Sequence, residues 1–138
     1  MNSVTVVLLT LALASGFGLW RRFTDGRARA AADDTPRFTT ADLGGRALGE
    51  RVTILQFSSS FCAPCRATKL IAEQLVGTAP DVAHIEINAE EHLDLVNAWD
   101  IRRTPTVLLL DATGAVRARV VGQPRKADLA EAVAAIRG

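Results

Sequence analysis

Residues 51–76 hold the feature that most restricts what this chain can fold into. Arg51-Val52-Thr53-Ile54-Leu55-Gln56-Phe57 is short, apolar and β-branched, the composition of a strand buried on both faces. Ser58-Ser59-Ser60 breaks the run. Phe61-Cys62-Ala63-Pro64-Cys65-Arg66 then opens a stretch in which Ala67, Leu70, Ile71 and Leu75 recur at helical spacing. Pro64 falls in the first turn, where its missing N–H costs little. The pattern predicts a strand over 52–57 that runs through a short break into a helix over 62–76, with both cysteines at the joint.

Cys62 and Cys65 are the only cysteines in the chain. A C-x-x-C pair needs two further ligands to close a tetrahedral zinc site, and the only histidines are His84 and His92, both read as surface residues. A dithiol/disulfide couple needs nothing further, so the pair reads first as a redox couple. Cys62 is placed at a helix N-terminus, where unpaired N–H groups and the helix dipole favour a thiolate. Cys65, one turn inside, shares nearly the same helical face and can close the disulfide. The competing readings are two buried structural thiols, or half a metal site shared between chains.

A second segment, Arg103-Thr104-Pro105-Thr106-Val107-Leu108-Leu109-Leu110-Asp111, puts a proline at the mouth of another apolar strand, 40 residues after Cys65. Together the two segments resemble the thioredoxin family. Its W-C-x-P-C motif corresponds to Phe61-Cys62-Ala63-Pro64-Cys65, and its cis-proline turn to Thr104-Pro105-Thr106. Gly114 fits the family's β-hairpin glycine, and Gly122 the glycine beside its active site. The spacing leaves no room for the extra strand and helix that membrane-tethered cytochrome-maturation relatives insert there. The resemblance covers roughly Arg37 to Gly138.

The resemblance implies an α/β thioredoxin fold, a central mixed sheet flanked by helices. It implies that Cys62, Cys65 and Pro105 are catalytic, with Pro105 cis. Phe61, Ala63, Pro64, Thr104 and Gly122 would form the substrate-binding surface, with Thr104 offering its backbone to an extended substrate chain. Phe61 stands where the family has tryptophan, and Ala63-Pro64 where its reducing members have Gly-Pro. Thioredoxins usually carry a buried aspartate six residues before the first cysteine; Gln56 stands here and cannot take a proton. They often carry a lysine nineteen residues before the proline; Glu86 stands here. Glu86, held by Gln56, is the candidate proton acceptor for Cys65. The bland reading puts Glu86 on a wet strand face with His84 and Asn88.

The chain has 138 residues, of which 49% are apolar, enough for one packed domain plus an appendage. Net charge is +1, and no Walker-type or G-x-G-x-x-G loop occurs, so nothing points to nucleic acid or a nucleotide. The appendage is residues 2–20, which hold no charge. As a helix they would span roughly 28 Å at about 1.5 Å per residue, close to a bilayer core. Trp20 would sit at the interface and Arg21-Arg22 at the membrane edge. Ala12-Leu13-Ala14 has the look of a cleavage site, which makes a cleaved secretory signal the rival reading. A signal wants positive charge before its apolar stretch; here Arg21, Arg22, Arg27 and Arg29 follow it. These charges predict a redox domain on the cytoplasmic side of a single-pass anchor.

Residues 21–36 read as a linker, and 37–138 as the thioredoxin-like domain. Within it, Thr39-Thr40-Ala41-Asp42 has capping-box form and predicts a short helix through Leu48, weakened by Gly44-Gly45. Strands are expected over 82–88, 106–111 and 116–121, and helices over 92–99 and 126–136. The whole reads as a membrane-anchored thiol–disulfide oxidoreductase with protein disulfides or dithiols as substrates. It needs no bound cofactor or metal, and an external reductase or oxidant resets it. The alternatives are an extracytoplasmic thiol oxidase, isomerase or cytochrome-maturation reductase, a redox-inert adaptor, and a metal chaperone.

Overall fold

The computed structural model describes residues 2–32 and 36–138. In chain order the elements are α1 (Ser3–Thr24), β1 (Ala28–Ala30), β2 (Val52–Ser58), α2 (Ala63–Thr78), β3 (Val82–Asn88), α3 (Leu93–Ala98), β4 (Thr106–Asp111), β5 (Val116–Val121) and α4 (Lys126–Arg137). The strands form one sheet in the order β1-β5-β4-β2-β3. Among the described residues, β2 and β3 run parallel and every other pair is antiparallel. The predicted mixed sheet flanked by helices is therefore present, as β2-α2-β3 followed by β4-β5-α4.

All seven residues of β2 are buried, because the strand lies inside the sheet with apolar layers on both faces. Side chains alternate across a strand. Leu55 and Phe57 join Ile85, Ile87, Leu108 and Leu110 on one face, where Leu95 of α3 also packs. Val52 and Ile54 join Val107 and Leu109 on the other, against Ala72 of α2 and Leu129 and Val133 of α4. Phe38 enters the first layer from the segment before β2 and stacks on Trp99, with ring centroids 4.1 Å apart.

Three local features differ from the sequence reading. The capping-box contacts form, since the Asp42 carboxylate accepts from the Thr39 N–H and hydroxyl, both at 2.7 Å. These bonds hold the Asp42 carboxyl below its ordinary value. No helix follows: residues 40–45 are successive turns, because Gly44 and Gly45 take left-handed backbone, with φ of 65° and 82°. The stretch read as linker is also structured at its start. α1 continues through Arg21 and Arg22 to Thr24, whose hydroxyl bonds the Trp20 carbonyl. Arginine is a good helix former and its charge suits a helix C-terminus. Ala28–Ala30 then pairs with β5. Its three exposed residues bury nothing, so no hydrophobic alternation announces the strand.

The β4–β5 turn is closed by Asp111. Its carboxylate accepts from the Thr113 N–H at 2.9 Å, the Thr113 hydroxyl at 2.6 Å and Arg117 Nε at 2.7 Å. Partial burial pushes this carboxyl up, but the hydrogen bonds outweigh it and hold the pKa at about 2. The folded value lies below the unfolded one. Asp111 therefore stabilises the fold above about pH 4, and that contribution is lost as pH falls toward about 2. We expect Asp111→Asn to lower stability near neutral pH by ~1–2 kcal/mol, allowing for solvent screening at this half-open turn. Denaturant titrations of both proteins at a series of pH values should converge on acidification; a gap that stays constant down to pH ~2 would exclude this origin.

Candidate active site

β2 delivers its C-terminal end to the start of α2, and Cys62 is the N-cap of that helix. The Cys65 N–H points at Cys62 Sγ, 3.2 Å away. The two sulfurs are joined in a disulfide of S–S distance 2.05 Å. The two cysteines differ in access: Cys65 is 3% exposed, whereas Cys62 is half-buried at the surface. Phe61 precedes them in left-handed backbone, φ 57°, and its side chain is wholly exposed. It packs on no core layer, so it presents a bare apolar face beside Cys62. Ala63 and Pro64 are exposed next to it.

The 103–106 loop closes over the disulfide. Thr104 Oγ1 lies 2.7 Å from Ser59 Oγ and 4.0 Å from Cys62 Sγ. The Thr104–Pro105 peptide bond is cis, and the Pro105 carbonyl accepts from the Gly122 N–H at 2.8 Å. Gly122 takes left-handed backbone, φ 88°, which favours glycine, and an added Cβ would come within 2.8 Å of the end of the Arg103 side chain. The residues assigned to the surface around the cysteines, Phe61, Ala63, Pro64, Thr104, Pro105 and Gly122, thus meet at one end of the sheet.

Behind Cys65 lies a polar network. Gln56 is completely buried, and its amide nitrogen donates to the Cys65 carbonyl at 2.8 Å and to Ser58 Oγ at 3.0 Å. Ser58 Oγ donates to Glu86 Oε2 at 3.2 Å, and Glu86 also faces Lys69 Nζ at 3.7 Å. Gln56 and Glu86 are register partners on β2 and β3, as the strand pattern suggested, but the amide reaches Glu86 only through Ser58. Its direct tie is to the Cys65 backbone.

His84 is the residue the sequence reading missed. Its Nε2 lies 3.0 Å from Gln56 Oε1. Both amide hydrogens of Gln56 are committed elsewhere, so Oε1 must accept and His84 must carry a proton on Nε2. Desolvation holds the His84 imidazole below its ordinary pKa, with the Glu86 charge opposing. The signal was available in the period-2 alternation, which puts His84 and Glu86 on one face of β3. Among the described residues, no three His, Cys, Asp or Glu side chains gather into a metal-binding cluster.

The family model described as Thioredoxin matches residues 46–135. Thioredoxin H4-1 of Oryza sativa subsp. japonica is 33% identical over 86 residues, which are 62% of this chain and 64% of that relative. The match thus spans just under two thirds of the relative's length. Among solved structures, a mutant thioredoxin from Halobacterium salinarum superposes with a TM-score of 0.62 at 23% identity, covering 80% of this chain and 97% of that one. Thioredoxin f from spinach chloroplast superposes with a TM-score of 0.58 at 27% identity, covering 65% and 74%.

Proposed function

This chain belongs to the thioredoxin family, and from that membership we propose that it is a membrane-tethered thiol–disulfide oxidoreductase acting on protein disulfides. The observation that carries the proposal is the Cys62–Cys65 disulfide at the exposed mouth of the Thr104–Pro105 loop. One cysteine is partly exposed and the other buried, which is the asymmetry a two-step exchange needs.

In the reduced protein, Cys62 thiolate attacks one sulfur of a substrate disulfide. The substrate S–S bond breaks, its leaving thiolate takes up a proton, and a mixed disulfide forms. Cys65 thiolate then attacks Cys62 sulfur, releases the second substrate thiol and closes the Cys62–Cys65 bridge. Two electrons pass from the dithiol to the substrate. Run backward, the steps oxidise a dithiol. No cofactor takes part, and a separate reductase or oxidant resets the pair. The Cys65 N–H aimed at Cys62 Sγ supports the thiolate form of Cys62. Phe61 and the Thr104 backbone take the substrate chain, Thr104 as a strand-like partner.

Cys65 must lose its proton in a shielded place, and Gln56 cannot receive it. We assign that role to Glu86, which Ser58 holds beside the Gln56–Cys65 contact. α1 is the membrane anchor in this reading. It is long and apolar enough to cross a bilayer, and none of its residues is buried against the domain. Arg21, Arg22, Arg27 and Arg29 follow the apolar stretch and favour a cytoplasmic redox domain.

Three results would test these assignments. Cys65→Ser should accumulate substrate mixed disulfides on non-reducing gels, and Cys62→Ser should not; equal trapping by both would reverse or erase the division of labour. Glu86→Gln should slow mixed-disulfide resolution about 100-fold or more near neutral pH, the low end of the usual range for losing a proton acceptor, while the first attack by Cys62 is unchanged. An unmoved pH profile of resolution would remove Glu86 from the path. Carbonate-washed membranes should retain full-length protein whose Cys62 reacts with membrane-impermeant thiol reagents only after the cells are opened. A soluble product beginning near Ser15 would establish a cleaved signal, and labelling in intact cells would reverse the orientation.

A further inference from the structure

The end of α1 is fastened to the redox site itself. Three residues, Asp25, Gly26 and Arg27, separate α1 from β1. The Gly26 N–H donates to the Val121 carbonyl at 2.7 Å, one residue from the Gly122 N–H that donates to Pro105. The Asp25 carboxylate pairs with Arg103 at 2.8 Å, and Arg103 is the residue before Thr104. Gly26 is closed in as well: an added Cβ would lie 2.2 Å from the Gln123 carbonyl oxygen. The helix exit, the end of β5 and the Thr104–Pro105 loop therefore lie side by side.

A cavity of about 1120 Å³ opens between them, walled by Leu19, Arg22 and Phe23 of α1 and by Pro64, Thr104 and Pro105 of the redox site. If α1 spans the bilayer, Trp20 marks the interface. Asp25 then follows five residues later, roughly 8 Å along the helix at about 1.5 Å per residue. A chain lying over Thr104 and Pro105 has the interfacial turn of α1 as its other wall. The arginines at positions 21, 22 and 125 also line this space, while the one acid there, Asp25, is already paired with Arg103.

Resting on the anchored reading above, we propose that the natural substrates are cysteines of integral membrane proteins, in extended neutral or acidic segments close to where those proteins leave the bilayer. The cavity receives that segment. The clamp at Asp25–Gly26 holds Cys62 at the membrane surface and away from disulfides held far above it.

Two synthetic transmembrane peptides test this. Each carries one cysteine as a mixed disulfide with thionitrobenzoate, whose release reports attack by Cys62. In the near peptide the cysteine lies about five residues beyond the apolar span. In the far peptide a stiff (EAAAK)-type helix of about 30 residues holds it roughly 45 Å higher. In vesicles of phosphatidylcholine and phosphatidylglycerol, the reduced full chain should attack the near peptide at least ~10-fold faster, a floor set below the ~100- to 10,000-fold by which effective concentration acts in tethered systems. A flexible Gly-Ser insertion of about 30 residues between Thr24 and Asp25, reaching roughly 30 Å, should bring the ratio toward about 1. The same insertion should leave attack on soluble bis-thionitrobenzoate unchanged.

Equal rates on both peptides, or a preference that survives the insertion, would overturn the proposal while leaving the anchored oxidoreductase intact. Failure of the full chain to float with the vesicles would remove the anchor, and the proposal with it. Absence of attack on the soluble disulfide would instead overturn the exchange chemistry.

Discussion

Every residue of β2 is buried, so each polar group on that strand needs a hydrogen-bond partner inside the fold. These partners organise the site. Thr53 Oγ1 accepts from the Gly49 N–H at 2.8 Å and fixes the chain where it enters the sheet. Gln56, near the other end, uses both amide hydrogens and its carbonyl oxygen on Cys65, Ser58 and His84. A buried amide left without these partners would cost about 1–3 kcal/mol per group. The first turn of α2 is therefore pinned to the sheet through a backbone carbonyl, and Cys65 is held beneath Cys62 by the same bond.

The choice of an amide has an electrostatic consequence. A carboxylate at position 56, as thioredoxins usually have, would bring a titrating charge into the core, and ionisation there would be opposed by burial. Gln56 stays neutral at every pH and donates where a carboxylate could only accept. The ionisable groups are displaced one strand outward, to His84 and Glu86 on β3. There Lys69 of α2 and solvent share the charge of Glu86. In the proposed exchange, that arrangement leaves the proton acceptor for Cys65 at the rim of the core and not inside it.

The parts legible in the sequence are those whose side chains encode their own surroundings. β3, β4 and β5 lie at the positions their alternation or apolar runs predict, and α2 begins where Cys62, Pro64 and the helical period agree. The cysteines, Pro105 and Gly122 converge because strand ends and loops of fixed length bring them to one edge. The parts not legible are held by backbone or by distant partners. β1 pairs through main-chain groups with exposed side chains. The 39–48 segment has a helix-start signal that two left-handed glycines override. His84 has the pattern of a surface residue, and only the buried Gln56 carbonyl oxygen on the neighbouring strand, which needs a donor, gives it a place in the network.

The connection between α1 and the sheet owes its stiffness to length and little to energy. The Asp25–Arg103 pair is more than a third exposed on both sides, and such pairs contribute at most about 1 kcal/mol. β1 adds three residue pairs to a sheet edge and no buried side chain. Neither would hold a long tether in one place. Three connecting residues reach only about 10 Å even when extended, so once β1 is paired the helix end has almost no space left to explore. Weak contacts then suffice to choose among the few remaining positions. Lengthening the connection would remove the constraint without breaking a single one of those contacts, and a substitution at Asp25 would leave most of it in place.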